Sequence, residues 1–178
     1  MAAVLITGPP RSGKTTLVRA VLDAIAVPAA GFYTAELRDG DGRRCGFELV
    51  TLEGDRATLA ALDLEGPHRV GHYGVDLDAL DRVGVPAIEA AIESGSLVVI
   101  DEIGAMELLS TRVQGAVIEA VRRSRLVFGT VMQRPHPFAD ELKAQRDTLL
   151  FELTAGNRDD VQALVEAQLR ASTGQLSV

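Results

Sequence analysis

Cysteine is all but missing from this chain. Cys45 is the only one, which rules out an intrachain disulfide and leaves no cysteine set for zinc. A reducing, cytoplasmic setting is the expectation that follows. Basic residues are missing ahead of Arg11, and the apolar stretch Met1 to Ile6 leads straight into a glycine loop, so it reads as a strand and not as a secretory leader. Long apolar runs are missing as well. The longest uncharged run, Ala24 to Ala35, is broken by Pro28 and Gly31 and is too short to span a bilayer, so no membrane association is expected. Positive charge is in deficit: 18 Lys and Arg stand against 25 Asp and Glu, a formal net charge of −7. Such a surface repels polyphosphate backbones and argues against general nucleic-acid binding.

Apolar residues make up 47% of the 178, enough for an ordinary core without disulfides or metals. No repeat, low-complexity stretch or linker stands out, so residues 1–178 are expected to form one domain. Ala2 to Thr7 reads as a buried strand, and Lys14 to Ile25 as a helix with Leu17, Val18, Val21, Leu22 and Ile25 on one face. Gly31 to Leu37 and Gly46 to Leu52 flank Asp39-Gly40-Asp41-Gly42, a tight-turn sequence, and predict a β-hairpin inserted at about 31–52. Val70 to Val75 reads as a further short strand after the break at Gly66-Pro67. Pro86 suits the first turn of a helix ending near Gly95. Leu97 to Ile100 reads as a strand buried on both faces. Ser110 or Thr111 would cap a helix reaching about Arg123. Leu126 to Val131 and Thr148 to Leu153 read as strands, and Asn157 as the cap of a last helix with Val161, Leu164, Val165 and Leu169 on its face. Strands alternating with helices predict an α/β fold, a mainly parallel sheet with helices on both faces.

Gly8-Pro9-Pro10-Arg11-Ser12-Gly13-Lys14-Thr15 matches G-x-x-x-x-G-K-[ST] in full, between a predicted strand and a predicted helix. In that setting, glycines let backbone N–H groups turn inward around phosphate oxygens, and the helix N-terminus adds roughly half a positive charge. Lys14 would reach the β- and γ-phosphates of a nucleoside triphosphate, and the Thr15 hydroxyl would bind Mg²⁺. The bland alternative is a glycine turn that happens to carry Lys and Thr. Thr16 offers a second hydroxyl, weighed against the plainer reading that it only satisfies the start of the helix.

A phosphate loop needs a carboxylate at the end of a neighbouring strand. Leu97-Val98-Val99-Ile100-Asp101-Glu102 supplies two. Asp101 would hold the Mg²⁺ through a coordinated water, and Glu102 is placed to polarise an attacking water. The alternative is that the pair merely opens a solvated loop. Arg11, Arg38, Arg43 and Arg44 are candidates for neutralising phosphate charge, each weighed against a solvated surface position.

With these elements placed, the chain resembles the THEP-type nucleoside-triphosphatases, also called cancer-related nucleoside-triphosphatases. The resemblance runs through GPPRSGKTTL at 8 to 17, GFYTAEL at 31 to 37, GFELVTLEG at 46 to 54, VGHYGVD at 70 to 76, VVIDEIGAMEL at 98 to 108 and NRDDV at 157 to 161. It implies a P-loop core of RecA-like type and Mg²⁺-dependent hydrolysis of ATP, GTP and other triphosphates such as CTP and UTP to diphosphate and phosphate. Nucleotide-binding segments would fall on Gly8 to Thr15 and on Leu97, Val98, Val99, Ile100, Asp101, Glu102, Ile103 and Gly104, with Asn157 and Arg158 near the base. The resemblance also implies an extra strand, Leu126 to Val131, between the loop strand and the acidic strand, with Thr130 or Gln133 available to sense the γ-phosphate. Glu107 belongs to the family string. Gln133 to Pro137 and His72 depart from the family pattern.

Two other readings share the loop. A kinase would need an acceptor pocket and a basic lid, for which Arg134, Lys143 and Arg146 are available. A GTP-dependent switch finds D-x-x-G at Asp101 to Gly104 and an echo of N-K-x-D at Asn157 to Asp160, with Arg158 in place of Lys. With that motif incomplete and aromatic residues at 4%, a pocket that discriminates poorly between bases is expected.

Overall fold

The computed structural model describes residues 3–173. The first expected strand is β1 (Ala3–Thr7), buried throughout; Ala2 lies outside the described residues. The glycine loop follows, and α1 (Lys14–Ile25) begins directly behind Gly13, whose φ of 88° is a left-handed conformation that side chains resist. Leu17, Val18, Val21 and Ile25 recur at helical spacing and are buried.

The next segment is antiparallel. It holds β2 (Ala29–Arg38), β3 (Arg44–Thr51), β4 (Arg56–Ala61), β5 (Arg69–Val70) and β6 (Tyr73–Val75). The single strand expected over Val70 to Val75 is in fact two: Val70 pairs with Tyr73 across a turn that Gly71, at φ 59°, makes accessible. A short helix α2 (Leu77–Ala79) is capped by Asp76, whose carboxylate accepts the Ala79 N–H at 3.2 Å. It continues through a π-helical turn, Leu80–Gly84, into α3 (Val85–Ser94), with Pro86 in the first turn and Gly95 closing the end in a left-handed conformation.

The remaining elements alternate. They are β7 (Leu97–Ile103), a 3₁₀ turn at Glu107–Leu109, α4 (Thr111–Arg123), β8 (Val127–Val131), α5 (Pro137–Ala144), β9 (Thr148–Glu152) and α6 (Arg158–Thr173). Ser110, not Thr111, caps α4: its hydroxyl accepts the Val113 N–H at 3.2 Å.

Among the described residues nine strands form one sheet in the order β5-β6-β4-β3-β2-β7-β8-β1-β9. Strands β2, β7, β8, β1 and β9 run parallel, and the others are antiparallel. Strand β2 belongs to both parts. Residues 29–33 pair with β7, while 32–38 pair with β3, so the segment read as an inserted hairpin continues the main sheet.

Side chains alternate between two cores. Leu5, Val98, Ile100 and Val127 pack with α3, α4 and α5, whereas Val4, Ile6, Val99 and Phe128 pack with α1 and α6. Each such fully buried apolar side chain contributes about 1.5–3 kcal/mol, which makes the parallel strands the rigid base of the loops above them. Leu164 corrects the expected face of α6: it is 57% exposed, while Val161, Val165 and Leu169 turn inward. Among the described residues no helix is long and apolar enough to cross a membrane.

Candidate active site

The loop between β1 and α1 is tightly wound. The Ser12 N–H donates to the Pro9 carbonyl at 3.2 Å, and Arg11 adopts a positive φ of 63°. Lys14, the first residue of α1, is only 8% exposed. Its Nζ donates to the carbonyls of Gly8 at 3.2 Å and Pro9 at 3.3 Å. The same Nζ lies 3.7 Å from Glu102 Oε1. Among the described residues, Ser12 Oγ is buried without a hydrogen-bond partner.

Both carboxylates come from a bulge. In the β7–β8 pairing Ile100 faces Gly129 and Ile103 faces Val131, so Asp101 and Glu102 together stand opposite Thr130. Two residues against one break the period-two alternation and re-aim side chains. Asp101 is sealed, at 1% exposed, and Glu102 reaches the cleft with a third of its side chain exposed. The Thr130 hydroxyl donates to Asp101 Oδ1 at 2.5 Å. Thr15 comes close enough to favour the charged carboxylate, yet among the described residues Asp101 Oδ2 is buried without a hydrogen-bond partner.

Burial pushes the Asp101 carboxyl above its ordinary pKa, against the pull of the Thr130 and Thr15 hydroxyls and the Lys14 charge. Burial also raises Glu102, opposed by Lys14 and reinforced by Asp101. A third carboxyl, Glu107, packs behind them: a Cβ added at Gly104 would sit 3.0 Å from its Oε2 and 3.3 Å from Glu102 Cγ. Burial pushes Glu107 up to about 8, with the charges of Glu102 and Asp101 adding and backbone hydrogen bonds opposing.

Two contiguous cavities meet at this point. One, of about 670 Å³, runs along Pro10, Arg11, Gly13, Lys14, Thr15 and Thr16 and is walled by β2 and β3. The other, of about 430 Å³, lies beyond Lys14 and Glu102, among Gly104, Met106, Glu107, Met132 and Arg134.

The remaining expected residues divide. Leu97, Val98, Val99 and Ile100 line neither cavity; their side chains fill the two cores and fix the position of Asp101. Ile103 is likewise core. The Arg158 guanidinium lies over the phosphate loop, where a Cβ on Gly13 would come within 2.4 Å of its Nη1. Asn157 turns its side chain back to the preceding loop, accepting from Thr154 N–H and donating to the Glu152 carbonyl, so it does not cap α6 with that side chain. Gln133 is engaged with Glu152 at 3.1 Å. Lys143 is held by the Met132 carbonyl and Asp140, which leaves Arg134 as the cavity-lining member of the proposed basic lid.

Sequence reasoning missed the opposite wall: Thr34, Glu36 and Phe47 line the first cavity with Arg38 and Arg44. The signal was present in part, since Thr34, Glu36 and Arg38 form a period-two polar stripe continuing the face of buried Phe32.

A glycine loop opening a helix at the end of one parallel strand, with a buried carboxylate on a strand beyond its neighbour, defines a P-loop nucleotide-binding fold. The chain belongs to the NTPase family, whose model matches residues 3–165. It is 39% identical over 172 residues to the nucleoside-triphosphatase THEP1 of Thermotoga sp. (strain RQ2), covering 97% of this chain and 98% of that one. It is also 39% identical over 176 residues to the cancer-related nucleoside-triphosphatase of Homo sapiens, covering 88% and 90%. The crystal structure of THEP1 from the hyperthermophile Aquifex aeolicus superposes with a TM-score of 0.84 at 31% identity, over 94% of this chain and 98% of that one.

Proposed function

We propose that the protein hydrolyses nucleoside 5′-triphosphates to the diphosphate and phosphate in the presence of Mg²⁺. One observation carries this reading: Lys14 and Glu102 meet in a cleft lined by the phosphate loop, and the buried Asp101, with one oxygen unpartnered among the described residues, lies within the influence of Thr15 and the Lys14 charge. Loop amides and the α1 N-terminus hold the phosphates, and Lys14 exchanges its loop carbonyls for β- and γ-phosphate oxygens. Glu102, its pKa raised, accepts the proton of a water lying behind the γ-phosphate. Asp101 and Thr15 fit a hard cation that keeps most of its waters, and an orphaned buried carboxylate oxygen is the chemistry Mg²⁺ takes. When bound, Mg²⁺ neutralises charge on the β- and γ-phosphates.

The position of β8 between β1 and β7 supports a RecA-like reading of the core. Poor base discrimination is supported by Asn157, whose amide is already committed to the backbone. ATP, GTP, CTP and UTP are therefore all substrates in this reading. The second cavity favours an alternative, an organic phosphoryl acceptor in place of water. Phosphate release from each of the four triphosphates, with and without Mg²⁺, tests both. Equal yields of diphosphate and phosphate are expected. Diphosphate formed without free phosphate, when nucleosides, nucleoside monophosphates or small alcohols are added, would favour the acceptor, and no turnover with or without these additions would remove both readings.

A further inference from the structure

We propose that Arg44 is a catalytic arginine supplied within the chain, which binds the γ-phosphate as its bond to the diphosphate breaks. The proposal rests on the hydrolytic reading of the cleft and adds a residue to it.

Four arginines line the two cavities, but not equally. Arg11 and Arg38 line only the first and Arg134 only the second. Arg44 lines both, a property it shares with Pro10, Lys14, Thr34, Phe47 and Glu102. It therefore stands where the cavities join, beside the groups that would hold and attack the γ-phosphate.

A bulge puts it there. Glu36 pairs with Phe47, Leu37 with Gly46 and Arg38 with Arg44, so β3 carries the additional residue Cys45. In a regular strand, residues three apart face opposite sides; here Arg44 and Phe47 share the cleft face.

The side chain is also held in place. Its Nε donates to the Tyr73 hydroxyl at 3.0 Å and its Nη1 to Glu36 Oε1 at 3.1 Å. The guanidinium carbon lies 5.1 Å from the Phe47 ring centroid and 5.7 Å from that of Tyr73, and the two rings meet edge to face at 5.2 Å. Among the described residues Nη2 has no hydrogen-bond partner. Arg38, by contrast, is 57% exposed and bound to Glu36 and the Gly42 carbonyl, and Arg43 is 80% exposed beside Asp41. Only Arg44 combines restraint with an unsatisfied edge at the junction.

The chemistry needs such a group. The water oxygen bonds to Pγ, its proton passes to Glu102, and the Pγ–O bridge breaks with its electron pair leaving on the diphosphate. Negative charge then spreads over the equatorial γ-oxygens and the leaving oxygen, and a planar fork of donors stabilises both. Arg44 donates hydrogen bonds and transfers no proton.

The test uses the full chain with Arg44→Ala and Arg44→Gln, the second retaining polar contact with Glu36 and Tyr73. Arg44→Lys and Arg43→Ala complete the set. Single-turnover phosphate release is measured beside equilibrium binding of Mg·ADP, alone and with aluminium fluoride as a transition-state mimic. Both neutral variants should lose about 10²- to 10³-fold in rate and a similar factor in affinity for the ADP–aluminium fluoride complex. Affinity for ADP alone should stay within a few-fold. Arg44→Lys should recover little, because a point charge lacks the fork, and Arg43→Ala should match the unaltered chain. A rate within about threefold of the unaltered protein for both neutral variants overturns the assignment. So does an equal loss of ADP and ADP–aluminium fluoride binding, which is what a packing role produces. If the unaltered protein releases no phosphate, the hydrolytic reading and the arginine fall together; if it does and Arg44 is indifferent, only the arginine falls.

Discussion

Thr130 donates its hydroxyl proton to Asp101 Oδ1 across the β7–β8 pairing, at 2.5 Å and with both residues closed to solvent. The bond occupies one carboxylate oxygen and leaves Oδ2 without a partner among the described residues, the oxygen that the proposed hydrolytic reading gives to Mg²⁺. Thr130→Val keeps the shape and removes the donor. A buried group stripped of its partner costs about 1–3 kcal/mol, and that loss of stability should appear in urea denaturation. The Mg²⁺ concentration for half-maximal phosphate release should rise by about tenfold, roughly 1.4 kcal/mol. An unchanged Mg²⁺ requirement would show that Thr130 plays no part in orienting Asp101.

Glu107 links the site to stability through pH. Its carboxyl is raised from 4.5 in the open chain to about 8 by burial first of all. Between those values the folded state holds a proton that the unfolded state has released, so stability falls as pH rises through the window. Below about 4.5 both states are protonated and the penalty vanishes. Glu107→Gln mimics the neutral form and should leave the low-pH melting temperature nearly unchanged. By pH 8 to 9 the variant should be more stable than the unaltered chain, by on the order of a few kcal/mol. Parallel melting curves across pH 4 to 9 would disprove it.

The phosphate loop, the acidic strand and the helix caps at Ser110 and Gly95 were legible because local chemistry alone dictates them. Strand β4 was not: Arg56-Ala57-Thr58-Leu59-Ala60-Ala61 has weak strand propensity and is held by pairing with β3. Helix α5 was hidden by Pro135 and Pro137, which look like breakers. Yet Pro137 takes the first turn, where its missing N–H costs nothing, and Asp140 accepts the His136 N–H just ahead of it. Of the site, the loop and both carboxylates could be named, but their bulge could not. Arg44 could likewise be named as a candidate, but the bulge at Cys45 that turns it to the same face as Phe47 could not. Bulges are set by pairing partners, which the local sequence does not show.

Gly31 is where the antiparallel segment joins the parallel sheet, and it tolerates no side chain. Its φ is 124°, and a Cβ there would meet the Val99 carbonyl oxygen at 2.0 Å. Gly31→Ala must therefore part β2 from β7 beneath the acidic bulge. A loss of about 2–4 kcal/mol is expected for strain and lost pairing, measured as a shift of the urea midpoint. A midpoint within experimental error of the unaltered chain would mean that β2 does not pair with β7 at this register.

The last prediction separates hydrolysis from mere binding at Glu102. This carboxylate reaches the cleft 3.7 Å from Lys14 Nζ, while its neighbour Asp101 is sealed and committed to Thr130. Glu102→Gln keeps the size and reach of the side chain and removes the group that the hydrolytic reading proposes as base for the water proton. General-base groups contribute about 10²- to 10⁴-fold, so single-turnover hydrolysis should fall by that order. Affinity for Mg·ATP should stay within a few-fold, because Lys14 and the loop amides supply most of the binding. Asp101→Asn should differ in kind, weakening Mg²⁺ affinity and rate together by neutralising the carboxylate proposed to hold the cation. Binding and hydrolysis measured side by side in both variants distinguish the two roles. If Glu102→Gln hydrolyses at the unaltered rate, another group takes the proton. If it loses Mg·ATP affinity as steeply as rate, its role is to pair with Lys14 and not to activate water.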